Sequence, residues 1–246
     1  MPDSRRHRGP HPSDAMLFGR DDSVQTLRMA AGDFAWLLGR HYAQQAALTL
    51  VGNRYQLHRR QRLALSRAVA PPRVARMRRC HQVDACALRG ALLQVDALNQ
   101  LITIEAALAG ALLLRGHDGA LRDLASVHGT YRLVRESMVS LEAIGTYLAL
   151  CKVKGVEFLI DAAVSNSGRL ANRIRCLGER QSWPWCARLV ADPDPILQRT
   201  THVVATSDSV ILDYAAHWFD LASAVIARVV PHVWCLDLDV APPAVD

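Results

Sequence analysis

The amino-acid sequence predicts an α/β protein, in which a small helical N-terminal domain precedes a domain with a mainly parallel central sheet. Residues 21–70 carry apolar side chains at the three- and four-residue spacing of amphipathic helices. Beyond Gly90, short apolar runs alternate with segments of helical composition, which is the order typical of βαβ units.

Composition limits the class of protein. The chain has 246 residues, of which 50% are hydrophobic and 21% charged, so it can bury a core and is not a disordered or collagen-like chain. Six cysteines without a CxxC pair exclude a disulfide mini-protein and favour a reducing compartment. The N-terminus lacks the apolar segment of a secretory signal, and no apolar run reaches the roughly 18 residues of a membrane span. We therefore expect a cytoplasmic protein with no membrane contact.

Charge divides the chain near Gly90. Residues 1–90 hold 16 Arg and 6 Asp, whereas residues 91–246 hold 13 Lys and Arg against 17 acids. Asymmetry of this kind indicates nucleic-acid or other anion binding in the basic part. The sequence predicts four segments: a disordered tail at 1–20, a basic all-helical domain at 21–80, an α/β domain at 90–232 and a tail at 233–246.

The helical domain contains apolar periodicity within 24–38, 41–51 and 58–69, with Gly39, the pair at 52–53 and the prolines at 71–72 as stops. In the α/β domain we expect strands within 91–95, 111–115, 155–160, 186–190 and 202–206. Helices are expected within 99–109, 132–152 and 220–229, and two further helices are expected to end near residues 177 and 216.

A stretch from Arg54 to Arg79 contains nine arginines and no acid. Such a surface suits phosphate contacts, and we expect RNA or another nucleic acid as partner. The alternatives are a solvated helix face or a surface that pairs with the acidic domain. The arginines predicted to hold the substrate backbone are Arg54, Arg59, Arg60 and Arg62.

Aspartates end or follow three of the predicted strands: Asp96, Asp161 and Asp208. The carboxyl ends of parallel strands lie along one edge of a sheet, so these side chains are expected to lie close together. Clustered carboxylates repel one another unless a cation neutralises them, and oxygen ligands suit Mg²⁺ or Mn²⁺. The alternative is that each aspartate caps the helix that follows it.

Other polar residues surround this pattern. Asn99 and Glu105 follow Asp96 closely, and Glu105 lies in an apolar helix, either at the surface or buried with a purpose. Four further residues flank the other strand-end aspartates and are candidate phosphate contacts or helix caps: Ser165, Ser167, Thr206 and Ser207. We expect Asp118 and Asp123 to be solvated, with the alternative that they reach the same edge of the sheet, and we expect Asp192 and Asp194 to lie in a surface loop.

Several segments resemble one family, the domain-of-unknown-function 434 proteins of bacteria and archaea. They include residues 48–57, 95–105, 117–123, 158–168 and 204–211. The resemblance covers most of residues 21–230 and implies no established activity.

A broader resemblance is to PIN/NYN-type nuclease domains, which place an aspartate after the first strand and further acids after later strands. Asp96 with Asn99, Asp161 and Asp208 match that layout, whereas Ala97 stands where those domains have a glycine. The resemblance implies a PIN-like three-layer domain and cleavage of RNA with Mg²⁺ or Mn²⁺. Two other functions remain open: a non-catalytic nucleic-acid-binding or adaptor protein, and a phosphatase or phosphotransferase of small phosphate esters.

Overall fold

A computed structural model describes residues 8–125 and 131–238. The helices are α1 (Asp14–Phe18), α2 (Asp21–Gly39), α3 (Gln44–Arg54), α4 (Arg59–Ala68), α5 (Pro72–His81), α6 (Ala97–Leu108), α7 (Ser137–Cys151), α8 (Ser167–Gln181), α9 (Asp194–Arg199), α10 (Ser209–Leu212) and α11 (Leu221–Val229). The strands are β1 (Leu92–Asp96), β2 (Leu113–Arg115), β3 (Leu121–Asp123), β4 (Gly155–Asp161), β5 (Trp185–Val190), β6 (Val203–Ala205), β7 (Trp218–Phe219) and β8 (Cys235–Asp237).

The main sheet has five parallel strands in the order β5-β4-β1-β6-β7. The chain builds outward from β1 on one side through β4 and β5, then returns to the other side of β1 with β6. The strand order therefore reverses between β1 and β6. In open sheets of this kind, ligands bind outside the carboxyl ends of the strands at that reversal. This topology confirms the predicted α/β class with a mainly parallel sheet.

Successive strand residues point to opposite sides of the main sheet, and the central strands bury residues on both faces, whereas the edge strand β5 keeps Cys186, Arg188 and Leu189 exposed. On one face, Val156, Phe158 and Ile160 of β4 pack in the largest core cluster, which includes residues of α6, α7, α8 and α11. On the other face, Leu159 of β4 and Trp218 of β7 pack against apolar residues of α9 and α10. Helices therefore cover the sheet on both sides, which gives three layers.

The helical N-terminal region shares its core with a second, three-stranded sheet in the order β3-β2-β8. Helices α2 to α4 supply one part of this core, and the second sheet and its flanks supply five leucines to it: Leu112, Leu114, Leu124, Leu236 and Leu238. The expected C-terminal tail therefore does not hold for residues 235–237, because β8 pairs in parallel with β2 and buries its apolar face.

The expected disordered tail at 1–20 also differs from the structure over the residues that are described. Asp14–Phe18 form α1, in which Leu17 and Phe18 are buried against the helical core. The Asp14 carboxylate is buried and pairs with Arg60 of α4. An apolar pair and one ion pair thus tie this segment to the helical region.

Several helices and strands differ from the predicted ones in where they begin or in which sheet they join. The helix expected at 132–152 begins at Ser137, and α5 forms where the sequence showed only an arginine run after Pro71-Pro72. The strand expected at 111–115 forms as β2, in the second sheet rather than in the main one. No helix within residues 8–125 and 131–238 is long and apolar enough to cross a bilayer.

Candidate functional site at the carboxyl edge of the main sheet

The Asp96 carboxylate lies at the carboxyl end of β1, where the chain turns directly into α6. Its Oδ2 accepts a hydrogen bond from the Thr206 hydroxyl at 2.9 Å, and its Oδ1 accepts one from the Asn99 N–H at 3.4 Å. Burial disfavours the charged form and raises the pKa of Asp96 to about 7, and repulsion by Asp208 acts in the same direction. No Lys or Arg in the described ranges pairs with this carboxylate. Within those ranges, the carboxylate at the end of β1 is held by hydrogen bonds and not by a cationic partner.

Asn99 fixes the segment that follows β6. Its Oδ1 accepts hydrogen bonds from the Ser207 backbone N–H at 2.9 Å and from the Ser207 hydroxyl at 3.1 Å. The Thr206 hydroxyl, which donates to Asp96, accepts a bond from the Asp208 N–H at 3.0 Å. The ends of β1 and β6 are thus held together at the point where the strand order reverses.

Asp208 and Asp161 lie at the same edge and also accept hydrogen bonds from nearby backbone N–H groups. Asp208 precedes α10, and its Oδ1 accepts a bond from the Val210 N–H at 2.8 Å. Asp161 ends β4 and accepts a bond from the Ala163 N–H at 2.7 Å. The capping alternative is therefore correct for Asp208 and for Asp96, which caps α6, but not for Asp161, because Asn166 is the residue that precedes α8. Each side chain retains oxygen lone pairs beyond its bond to the backbone.

A fourth acid, Asp194, was missed by the sequence interpretation. It is half-buried at the start of α9 instead of lying in a solvated loop. Burial raises the pKa of Asp194, and the charges of Asp208, Asp192 and Asp161 raise it further. The signal was present, because β5 is also followed by acids, but the flanking prolines indicated a surface turn.

Whether a divalent cation fits this edge depends on how the carboxylate oxygens of these aspartates are grouped. Within the described residues, no three His, Cys, Asp or Glu side chains are grouped as metal ligands. The expected set of Asp96, Asp161 and Asp208 is therefore not assembled as three ligands. Asp96 and Asp208 nevertheless repel each other at the strand reversal. Mg²⁺ and Mn²⁺ bind few carboxylates together with water and substrate oxygens, so Asp96 and Asp208 are the two expected ligands that remain as a pair.

A cavity of about 310 Å³ opens beside this edge. Its lining combines polar and charged groups from α4, α6, β3 and the segment after β6. They include Arg67, Asn99, Arg122, Asp123, Ser207 and Asp208. The cavity thus lies next to the acidic edge, between the helical region and the main sheet.

Asp118 and Asp123 are buried, so the expectation that they are solvated is wrong. Asp118 accepts hydrogen bonds from Arg78 at 2.7 Å and from two nitrogens of Arg122 at 2.7 and 2.6 Å. Burial alone would raise the pKa of Asp118, but the two guanidinium groups outweigh it and lower the pKa to about 2. Arg122 also donates to the Ser207 carbonyl at 2.8 Å. This buried network therefore holds the segment after β6 in place through the bond from Arg122 to Ser207.

Two of the arginines predicted to hold substrate are engaged within the protein. Arg60 binds the buried Asp14 carboxylate through two nitrogens. Arg62 donates to the Leu57 carbonyl at 3.0 Å and to the Asn53 side chain at 2.9 Å. These bonds tie elements of the helical region to each other, which differs from both alternatives that the sequence left open, a solvated helix face and a surface that pairs with the acidic domain.

The other two predicted arginines are exposed. Arg54 lies 3.6 Å from Asp33, and both side chains are largely in solvent. Arg59 is the first residue of α4 and is also exposed. Neither residue lines the cavity beside the acidic edge.

Glu105 is not part of the acidic edge. It lies nine residues after Asp96 along α6, roughly 13 Å along the helix axis. Its buried carboxylate accepts hydrogen bonds from Arg8, Tyr131 and Ser137. Burial raises the pKa of Glu105, and the charge of Arg8 opposes that rise. Glu105 is therefore buried and bound to three side chains, and it lies away from the acidic edge.

Ser165 and Ser167 lie beyond Asp161 and outside the lining of the cavity. Ser165 is exposed, and its carbonyl accepts a bond from the Tyr131 N–H at 3.2 Å. Ser167 is buried as the first residue of α8. The structure thus gathers Asp96, Asn99 and the segment 206–208 at one place and leaves these serines apart from it.

The fold and this edge define a doubly wound α/β protein with an acidic group at its strand reversal and a polar cavity beside it. Residues 85–224, more than half of the chain, match the family described as Domain of unknown function (DUF5616), and the chain belongs to this family. Residues 26–80 match the family described as Protein of unknown function (DUF434), which confirms the first resemblance for residues 48–57. The other four segments of that resemblance, at 95–105, 117–123, 158–168 and 204–211, fall in the DUF5616 match instead.

One relative spans most of the chain. The Uncharacterized protein MJ0935 of Methanocaldococcus jannaschii is 30% identical over 187 residues, which cover 76% of this chain and 89% of the relative. No solved structure matches the chain.

Proposed function

We propose that the chain is a Mg²⁺- or Mn²⁺-dependent phosphodiester hydrolase that acts on RNA, with its reactive centre at the carboxyl edge of the main sheet. One observation carries this proposal: the Asp96 carboxylate has no Lys or Arg partner in the described ranges, and Thr206 links it to Asp208, which lines the polar cavity at the strand reversal. The resemblance of Asp96, Asn99 and Asp208 to the PIN/NYN layout supports the same reaction. Six free cysteines agree with a reducing, cytoplasmic setting.

In this proposal Asp96 and Asp208 hold the cation, with Asp161 and Asp194 adding negative potential around them. A bound divalent cation would lower the pKa of a water molecule and stabilise charge at phosphorus. Thr206 orients the Asp96 carboxylate through its hydroxyl. Asn99 holds Ser207 and therefore fixes the position of Asp208.

Cation binding is expected to depend on pH. With a pKa of about 7, Asp96 is partly protonated at neutral pH when no cation is present. A cation must displace that proton, so its affinity rises with pH across neutrality.

Cleavage of a labelled single-stranded RNA in Mn²⁺ tests the proposal. Asp96→Asn and Asp208→Asn should each reduce the cleavage rate by roughly a hundredfold or more, because each removes a charge that holds the cation. Asp84→Asn is a matched control, since Asp84 also caps a short helix but lies before β1 rather than at its carboxyl end. Unchanged cleavage in both test variants would remove the proposal.

A non-catalytic nucleic-acid-binding or adaptor protein is the second candidate. The observation that favours it is that Asp96 and Asp208 both accept capping bonds from backbone N–H groups. It predicts RNA binding that weakens steeply with salt, needs no divalent cation and is not followed by cleavage.

A further inference from the structure

Arg67 brings the helical region to the acidic edge. It lies in the last turn of α4 and lines the cavity together with Asn99 and Asp208. Arg67 falls in the segment that matches DUF434, whereas Asn99 and Asp208 fall in the segment that matches DUF5616. The cavity is therefore built by both segments of the chain.

The guanidinium of Arg67 is fixed on one side and open on the other. Its Nη1 donates to the Asp123 carbonyl at 2.7 Å and lies 3.4 Å from the Asp123 carboxylate. Within the described parts of the chain, Nε and Nη2 have no acceptor, and 30% of the side chain is exposed. A planar guanidinium held this way can donate two parallel hydrogen bonds to a phosphoryl group.

The other arginine that lines the cavity is occupied. Nη1 and Nη2 of Arg122 bind Asp118, and its Nε binds the Ser207 carbonyl. Arg122 therefore supports the wall of the cavity, and Arg67 is the arginine of the lining with nitrogens open toward a ligand.

We propose that Arg67 binds a phosphoryl group of the substrate in this cavity, next to the cation site at Asp96 and Asp208. The Asn99 amide nitrogen, which has no acceptor among the described residues, is a second donor toward the same group. This inference rests on the proposed function and makes the helical region part of the reactive site. The phosphoryl group can belong to an RNA strand or to a small phosphate ester.

Calorimetric titration of the full chain with inorganic phosphate and with a short oligouridylate tests this inference. Both titrations are done in chelator, so that they report on the arginine and not on a bound cation. Arg67→Met should weaken phosphate binding roughly ten- to a hundredfold, because it removes charge-assisted hydrogen bonds but keeps an apolar stem. Arg76→Met, which removes an exposed arginine of α5, should change binding less than twofold.

Asp123→Asn separates ligand binding from a structural role. The substitution keeps the bond of Arg67 to the Asp123 backbone carbonyl and changes only its contact with the Asp123 side chain. If Arg67 acts only through that side-chain contact, Asp123→Asn should weaken binding as much as Arg67→Met does. If Arg67 binds the phosphoryl group, Asp123→Asn should leave the affinity unchanged or increase it, because a negative charge leaves the lining. Arg67→Lys, which keeps the charge but not the planar pair of donors, should fall between wild type and Arg67→Met.

Equal affinity in wild type and Arg67→Met, or equal weakening in Arg67→Met and Asp123→Asn, would overturn the inference, as would a wild-type chain that binds neither ligand. Binding of the oligouridylate identifies an RNA strand as the source of the phosphoryl group. Binding of inorganic phosphate alone identifies a small ester, and both results support the Arg67 site. Asp96→Asn should lose Mn²⁺ binding and keep phosphate binding, so failure of the cation site remains distinguishable from failure of the Arg67 site.

Discussion

The positions of individual acidic side chains at the carboxyl edge could be predicted from the sequence. An acid after a buried strand lies at one edge of a parallel sheet, and Asp96, Asp161 and Asp208 are there. The same rule applied to β5 would have found Asp194. The ion pairs of the buried acids could not be predicted. Those of Asp118 are with one arginine of β3 and one of α5, and the arginine of α5 lies 40 residues away along the chain.

The first prediction for a single residue concerns the effect of the Asp96 charge on the free energy of unfolding. Its pKa in the folded chain, about 7, lies above the ordinary aspartate value of 3.8, so the folded state binds more protons than the unfolded state between these pH values. Ionisation of Asp96 therefore destabilises the fold as pH rises toward 7. Without divalent cations, the gain in stability from Asp96→Asn should be larger at pH 8 than at pH 5.5 by roughly 2 kcal/mol.

Urea unfolding of wild type and Asp96→Asn in chelator, at both pH values, measures this difference. Asp84→Asn, which removes an exposed capping carboxylate, should show nearly the same change at the two pH values. An Asp96→Asn effect that does not vary with pH would contradict the raised pKa.

The second residue-scale prediction concerns Asp118. Asp118→Asn leaves Arg78 and Arg122 buried with less compensation and should destabilise the fold by roughly 3–5 kcal/mol at pH 7. Because the pKa of Asp118 is lowered, the stabilisation by its charge is present above its unfolded pKa and is lost as pH falls from about 4 to about 2. Glu142→Gln, which breaks an exposed pair with Arg180, should change stability by less than about 1 kcal/mol. Similar effects of the two substitutions in thermal unfolding would count against the buried network.

Among the elements, the long periodic segments were predictable and the short ones were not. Helix α2 and strand β4 have clear apolar patterns in the sequence. Four of the ten residues of helix α5 are arginines, so its apolar periodicity is weak, and its buried residues are Ala75 and Arg78. Strand β8 has three residues and exists because it pairs with β2, more than a hundred residues earlier. Non-local pairing of this kind leaves little local signal.

Helix α7 provides the element-scale prediction. Gly145 is buried in its middle, and a Cβ at that position would lie about 2 Å from the indole ring of Trp183. Gly145→Ala should therefore destabilise the fold by roughly 1–3 kcal/mol, although alanine is the better helix former. Gly32→Ala in α2 meets no atom within 4 Å and should stabilise the fold by roughly 0.5–1 kcal/mol. Chemical unfolding of both variants decides between packing and helix propensity, and a stabilising Gly145→Ala would contradict the packing described here.

For the whole molecule, the charge asymmetry suggested two domains with separate tasks, and the structure shows a shared core. The leucines of the second sheet are buried against α2 to α4, and Arg67 of α4 lines the cavity beside the main sheet. Several arginines of the basic stretch pair with acids from outside it, including Asp14, Asp118 and Asp123. Absence of acids within the stretch could not reveal those pairs, because each depends on the assembled fold.

Removal of the helical region tests this shared core. A fragment that begins at Ala85 would expose the buried leucines of the second sheet, and we expect it to aggregate or to lose cooperative unfolding. Co-expression of residues 1–84 as a separate chain should restore part of the soluble, cooperative state. A lone fragment that unfolds cooperatively at the wild-type temperature would show that the shared core is dispensable.

The central claim is that the strand reversal in the main sheet holds a divalent cation between Asp96 and Asp208. A crystal of the full chain soaked with Mn²⁺ and measured at an anomalous wavelength tests it most directly. We predict one anomalous peak in contact with both carboxylates, absent from an Asp96→Asn crystal soaked in the same way. A soaked wild-type crystal with no peak at these carboxylates would contradict the claim and favour the non-catalytic binding protein.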